Sequence, residues 1–281
     1  MGTSSSSFGP RSGVSFDPPW LKSVASEIGL PLEKISGKPL QSEKNHLQLE
    51  PTVHPVETAH PRRFCNARRN FSEYIKSGNQ MHLKKALGSY SRIGMGGASR
   101  LASRMFVSTS TGAKLFNFLQ GVRDKKDIKV REWVNQLTSK HLSAHDVENE
   151  IINQFVPSGG TLDEESCRDS MSKAFSNLLK RYPDVDLLNM NNDSIWNLIE
   201  LFITSEVFNR INLDIGQLFE SNKYTPQEAV SRMNDIQAYV KSEISVQIQK
   251  VRTNDDCTIE EINNLLQSAI KNTFTVFEEE V

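Results

Sequence analysis

Hydrophobic positions along the chain follow two regimes. Up to about residue 60 they come singly and without a period, set among Ser, Pro and Gly, as in SSSSFGPRSGVSFDPPW and LEPTVHPVETAHP. Pro18, Pro19, Pro31, Pro39, Pro51, Pro55 and Pro61 would each interrupt a helix or remove a ladder donor. This stretch therefore reads as a disordered tail, in which only residues 20–28, WLKSVASEI, could form a short helix before Gly29 and Pro31 stop it.

From Cys65 the spacing changes to three and four. Ala67, Phe71, Tyr74 and Ile75 make one stripe closed by Gly78 and Asn79, and Leu83, Leu87, Tyr90 and Ile93 make a second over residues 81–93, ending at Gly94. GMGGASRLASRM starts a small-residue helix, STGAKLFNFLQGV starts another with Ser110 or Thr111 as cap, and residues 129–140 present Val130, Trp133, Val134 and Leu137. Ser143 caps AHDVENEIINQF. After Gly159 and Gly160, the capping box from Thr161 to Glu164 leads a helix through Met171, Ala174, Phe175, Leu178 and Leu179. Asp193 or Ser194 opens the strongly apolar SIWNLIELFITSEVFNRI, which reads as core with one side reserved for a partner. Thr225-Pro226 opens a helix through Val230, Met233, Ile236, Val240, Ile244 and Ile248, and a last helix covers residues 258–277.

No alternating runs pair as strands and no period repeats, so the expected fold is all-α, a helical bundle-like body behind a long Ser/Pro-rich tail. The expected divisions are a tail over 1–64, a basic helical region over 65–142 and an acidic helical region over 143–281.

Charge gives that last division its meaning. The 281 residues are nearly neutral, with 33 Lys+Arg against 34 Asp+Glu. Residues 62–104 nevertheless hold ten basic residues and one acid, residues 105–143 seven and three, and residues 144–281 eleven and twenty-four. The middle is thus about +13 and the C-terminal part about −13. The basic segment 62–131, with Arg62, Arg63, Arg68, Arg69, Lys84, Lys85, Arg100 and Arg104, is a candidate nucleic-acid surface, and Phe64, Phe71 and Tyr74 among these cations could stack bases. The same charges are also explained by internal pairing with the acidic half, and the same aromatics by a core stripe.

Other chemistry is sparse. No apolar run approaches the length of a membrane span, so no membrane partner is expected. Three cysteines at wide spacing, with no CxxC, fit a reducing cytoplasm better than a disulfide framework, and the first residues do not resemble a secretory signal. Cys65 lies among arginines that could lower its thiol pKa, but has no His and acid partner in view. His141 and His145 are four apart, yet Ser143 between them reads as a helix cap and no third ligand follows, so no metal is expected. Gly94, Gly96 and Gly97 precede a helix and could aim N–H groups at a phosphate. They match neither the P-loop nor the dinucleotide fingerprint, so a tight turn with close helix packing is the better reading and no cofactor is implied.

The first residues are the most suggestive. Gly2 after Met1 is small enough for methionine removal, and Thr3, Ser4, Ser5 and the serines that follow would hold the freed amine clear of the body. The string also satisfies the myristoylation pattern. Pro18, Pro19 and Trp20 form a candidate anchor for a partner, since Trp offers a large contact area at low entropic cost.

The order MGTSSSS, PPW, FCNARRNFSEYIKSGN, LKKALGSYSR, GMGGASRLASRM, PSGGTLDEESCRD and ELFITSEVFNRI resembles the QatB family of bacterial Qat anti-phage defence systems. The resemblance implies a cytoplasmic subunit without an assigned catalytic motif. Its companions would be an ATPase (QatA), an enzyme similar to 7-cyano-7-deazaguanine synthase (QatC) and a nuclease similar to TatD (QatD). It gives the tail a sharper expectation: the synthase-like partner binds it and conjugates a 7-deazapurine to the Gly2 amine through an amide. In a bacterium this displaces acylation.

Overall fold

The computed structural model describes residues 62–125, 128–140, 142–156, 162–218, 225–252 and 257–279. The tail expectations therefore lie outside the described residues, among them Gly2, Thr3, Ser4, Ser5, Pro18, Pro19 and Trp20, as do His141 and Thr161.

Ten α-helices and no strand occur among the described residues: α1 (Cys65–Ser77), α2 (Gln80–Ser89), α3 (Ala98–Arg104), α4 (Phe106–Asp124), α5 (Ile128–Ser139), α6 (Ala144–Phe155), α7 (Leu162–Arg181), α8 (Asn192–Ile215), α9 (Pro226–Val251) and α10 (Ile259–Glu279). The fold is all-α.

The local chemistry accounts for most boundaries. The stripe of α1 is buried as its spacing predicts, through Ala67, Phe71, Tyr74 and Ile75, and the helix stops where Gly78 turns left-handed. Ser143 and Asp146 cap α6 reciprocally, Thr225 and Glu228 do the same for α9 with Pro226 in its first turn, and Thr258 with Glu261 closes the start of α10.

Three boundaries differ from expectation. After Ser89 the chain widens into a π-helical turn, Tyr90–Met95, which keeps Tyr90 buried but rotates Ile93 outward to 43% exposure. The helix containing STGAKLF begins at Phe106, not at Ser110 or Thr111, because α3 passes into α4 across Met105 with only a local kink; Thr109 bonds back to the Phe106 carbonyl within the first turn. Asn191, whose side chain accepts from the Ser194 N–H at 2.8 Å, caps α8 in place of Asp193 or Ser194.

Two helices organise the packing. α10 touches α2, α3, α4 and α9, and α8 touches α4, α7 and α9. One apolar core runs through them from Phe64 to Phe277, so the basic and acidic segments are halves of one interior. α8 is buried on several sides, through Ile195, Trp196, Leu198, Ile199, Phe202, Ile203 and Val207, as expected for a central helix. On α9, Val230 points outward at 57% exposure while Ile236, Val240, Ile244 and Ile248 face inward.

Candidate functional site

The described chain enters the body through Phe64. Its ring is buried, stacks on Tyr90 at a centroid distance of 5.6 Å and lies under the Arg63 guanidinium. Burial of a Phe of this kind contributes about 1.5–3 kcal/mol, so the start of the described chain is held firmly against the helices. Arg62, two residues before it, has a positive φ of 81° and an exposed side chain.

The basic residues chosen from sequence do not form one open surface. Arg62, Arg69 and Lys85 are exposed, whereas Arg63, Arg68, Lys84 and Arg100 are half-buried. Arg68 donates to the Asp214 backbone carbonyl at 3.0 Å. Arg104 is 6% exposed and sends one guanidinium nitrogen toward the Met95 sulfur, so it is withdrawn from any surface role. Phe64, Phe71 and Tyr74 are all buried and serve as core, not as stacking platforms.

A polar seam that the sequence reading missed crosses this interior. Glu206 on α8, 4% exposed, accepts from Ser108 of α4 and from both Ser166 (3.0 Å) and Cys167 (3.3 Å) of α7. Four and eight residues on, Arg210 and Asp214 occupy the same face, where the Tyr90 hydroxyl donates to Asp214 at 2.8 Å and Arg210 lies 3.5 Å from it. Burial, then the nearby Asp214 charge, pushes the Tyr90 phenol well above its ordinary pKa. The spacing Glu206, Arg210, Asp214 at intervals of four among the apolar residues of this central helix was the legible signal.

The remaining candidates take structural places. Gly94 packs against the Phe64 ring, and Gly96 and Gly97 have φ of 81° and 102°, with the Gly97 N–H bonded to the Ser91 carbonyl at 2.9 Å. This is the tight-turn reading. Cys65 is exposed, Cys167 buried and Cys257 intermediate. His145 pairs with the buried Glu148 at 3.1 Å, and no group of three metal-ligating side chains occurs among the described residues. No described helix is long and apolar enough to cross a membrane.

A family model described as the Qat anti-phage system associated protein QatB matches residues 96–277, which takes in α3 through most of α10. No curated protein and no solved structure matches the chain.

Proposed function

The chain belongs to the QatB family of Qat anti-phage system associated proteins, and we propose that within such a system it is a non-catalytic adaptor and protein substrate. Other components of a Qat system are its partners. In this reading the helical body is the platform and the cytoplasmic tail is the working end. The synthase-like component, QatC, binds the tail through residues including Thr3, Ser4, Ser5, Pro18, Pro19 and Trp20, and conjugates a 7-deazapurine to Gly2 after Met1 is removed. The ATPase QatA and the TatD-like nuclease QatD are the further partners. The synthase-type reaction activates a carboxylate with ATP and delivers it to ammonia. A glycine amine can take the place of ammonia, forming an amide as the activating group leaves.

The observation that carries this reading is the junction. The change from Ser/Pro-rich to helical sequence coincides with Phe64, a side chain buried in the core and stacked on Tyr90, which gives the segment carrying Gly2 a fixed point on the body in this reading. Co-purification tests it. Deletion of residues 2–20 abolishes capture of the synthase-like component while the body keeps its helical circular dichroism and melting temperature; retained capture would place the contact on the body.

A nucleic-acid role for the basic segment is the second reading; of its candidate residues, Arg62, Arg69 and Lys85 are the exposed ones.

A further inference from the structure

A cleft of about 710 Å³ opens between the end of α4, α5, the start of α6 and the loop that joins α7 to α8. Its volume lies within the roughly 300–1,000 Å³ of ligand sites. Leu137 and Val147 of its lining are buried, whereas Leu142, Val185 and Leu188 keep part of their surface in solvent, so an apolar ligand has surface to cover.

Charge gives the cleft two unlike sides. At the end of α4, Arg123 is held by Asp124 at 2.6 Å and by the Asn192 side chain. Lys125, exposed and left-handed with φ of 52°, is therefore the cation that an incoming group meets. The α7–α8 loop brings the exposed Asp186, whose Oδ1 accepts from the Leu188 N–H at 2.9 Å. A segment that fits is apolar in its middle, with an acid at one end and a base at the other.

Residues 16–22 of this chain, FDPPWLK, have that order: Asp17, then Pro18, Pro19, Trp20 and Leu21, then Lys22. The fixed φ of two prolines lowers the entropy lost on docking, and Trp20 brings a large apolar area. We propose that the cleft holds this segment of the same chain, with Trp20 against Leu142, Val185 and Leu188, Asp17 beside Lys125 and Lys22 beside Asp186. Trp20 and Arg62 are 42 residues apart, a reach of up to about 140 Å, against a radius of gyration of about 17 Å for a body of this size. The tether keeps the segment at an effective concentration on the order of millimolar, so it fills a cleft whose few contacts would not retain a separate peptide. Pro18, Pro19 and Trp20 are also the anchor assigned to the synthase-like component, so the cleft and that component compete for them. This competition rests on the tail reading above; the docking itself does not.

A photoreactive benzophenone side chain in place of Trp20, in the full chain expressed without other Qat components, tests the docking. Irradiation cross-links position 20 to residues 134–147 or 185–189, with a yield that holds constant over about fiftyfold dilution because the contact is within one chain. Lys125→Glu lowers the yield about twofold and leaves the melting temperature unchanged, the effect of breaking an exposed ion pair at a half-filled site, and Asp17→Lys added to it restores the yield. The proposal is overturned by cross-links outside those residues, by none at all, or by a yield unchanged in Lys125→Glu. A yield that falls on dilution also overturns it and makes a second copy the occupant. Capture of the synthase-like component is measured on co-expressed protein, so either reading can fail alone.

Discussion

Gly94 and Phe64 are in contact so close that a Cβ on Gly94 would stand 2.5 Å from Cδ1 and Cε1 of the ring. The contact lies at the start of the described chain, and it explains the first glycine of the GMGG run without any ligand. Gly94→Ala must therefore push the ring out of its stack on Tyr90, at about 1–3 kcal/mol. Phe64→Ala, which empties the same site, costs about 3–5 kcal/mol, and the double variant costs less than the sum. Urea titration of the four proteins checks both statements; additivity would mean the two residues are not coupled.

Glu206 ties three helices through one carboxylate. Replacement by Leu removes the acceptor of the buried Ser108 hydroxyl and of the part-buried Ser166 hydroxyl, and a buried donor so orphaned costs about 1–3 kcal/mol. Glu206→Gln keeps an acceptor oxygen and is expected to cost less than Glu206→Leu. Thermal melts that rank the two in the opposite order would show that the seam contributes little.

Tyr90 sets an alkaline limit on stability. Burial, with the Asp214 charge beside it, raises its pKa in the folded state, so the folded protein holds this proton after the unfolded chain has lost it. The contribution is complete below the unfolded value of about 10 and is lost as pH rises from there through the folded pKa. Urea midpoints between pH 8.5 and 11 fall for the parent and fall less steeply for Tyr90→Phe. Parallel slopes would refute the assignment.

The basic segment is best tested where it is exposed. Arg68→Glu would break the bond to the Asp214 carbonyl and place a carboxylate against the seam, so loss of binding in that variant would say little about DNA. Arg69→Glu with Lys85→Glu leaves the core untouched. On the adaptor reading this pair changes capture of the synthase-like component by less than about twofold and leaves it insensitive to salt, whereas phosphate binding weakens steeply between 50 and 200 mM salt.

The helical stripes were legible because burial in a bundle follows the 3.6-residue period, as Ala67, Phe71, Tyr74 and Ile75 show. Caps that combine a hydroxyl residue with a carboxylate three positions on were legible too, at Ser143 and Thr225. Ile93 escaped because a π-helical turn adds a residue to the period, and Val230 because the buried face of α9 starts at its neighbour Ala229, which leaves Val230 out of phase with Ile236 and Val240. The cations of 62–104 read as one surface, but a helix distributes neighbouring residues around its axis. That geometry puts Arg69 in solvent, Arg68 against Asp214 and Arg104 inside. The seam around Glu206 and the cleft beside Lys125 join residues dozens of positions apart, and only the packing of α4, α5, α6, α7 and α8 brings their members together.

The most direct test of the central claim is the mass of the N-terminal peptide from protein co-expressed with its neighbouring genes, set beside protein expressed alone and beside Gly2→Ala. Loss of Met1 and an added mass of a deazapurine amide on Gly2, present only with the synthase-like gene and absent from Gly2→Ala, is the predicted result. An unmodified Gly2 under conditions of active defence would contradict it.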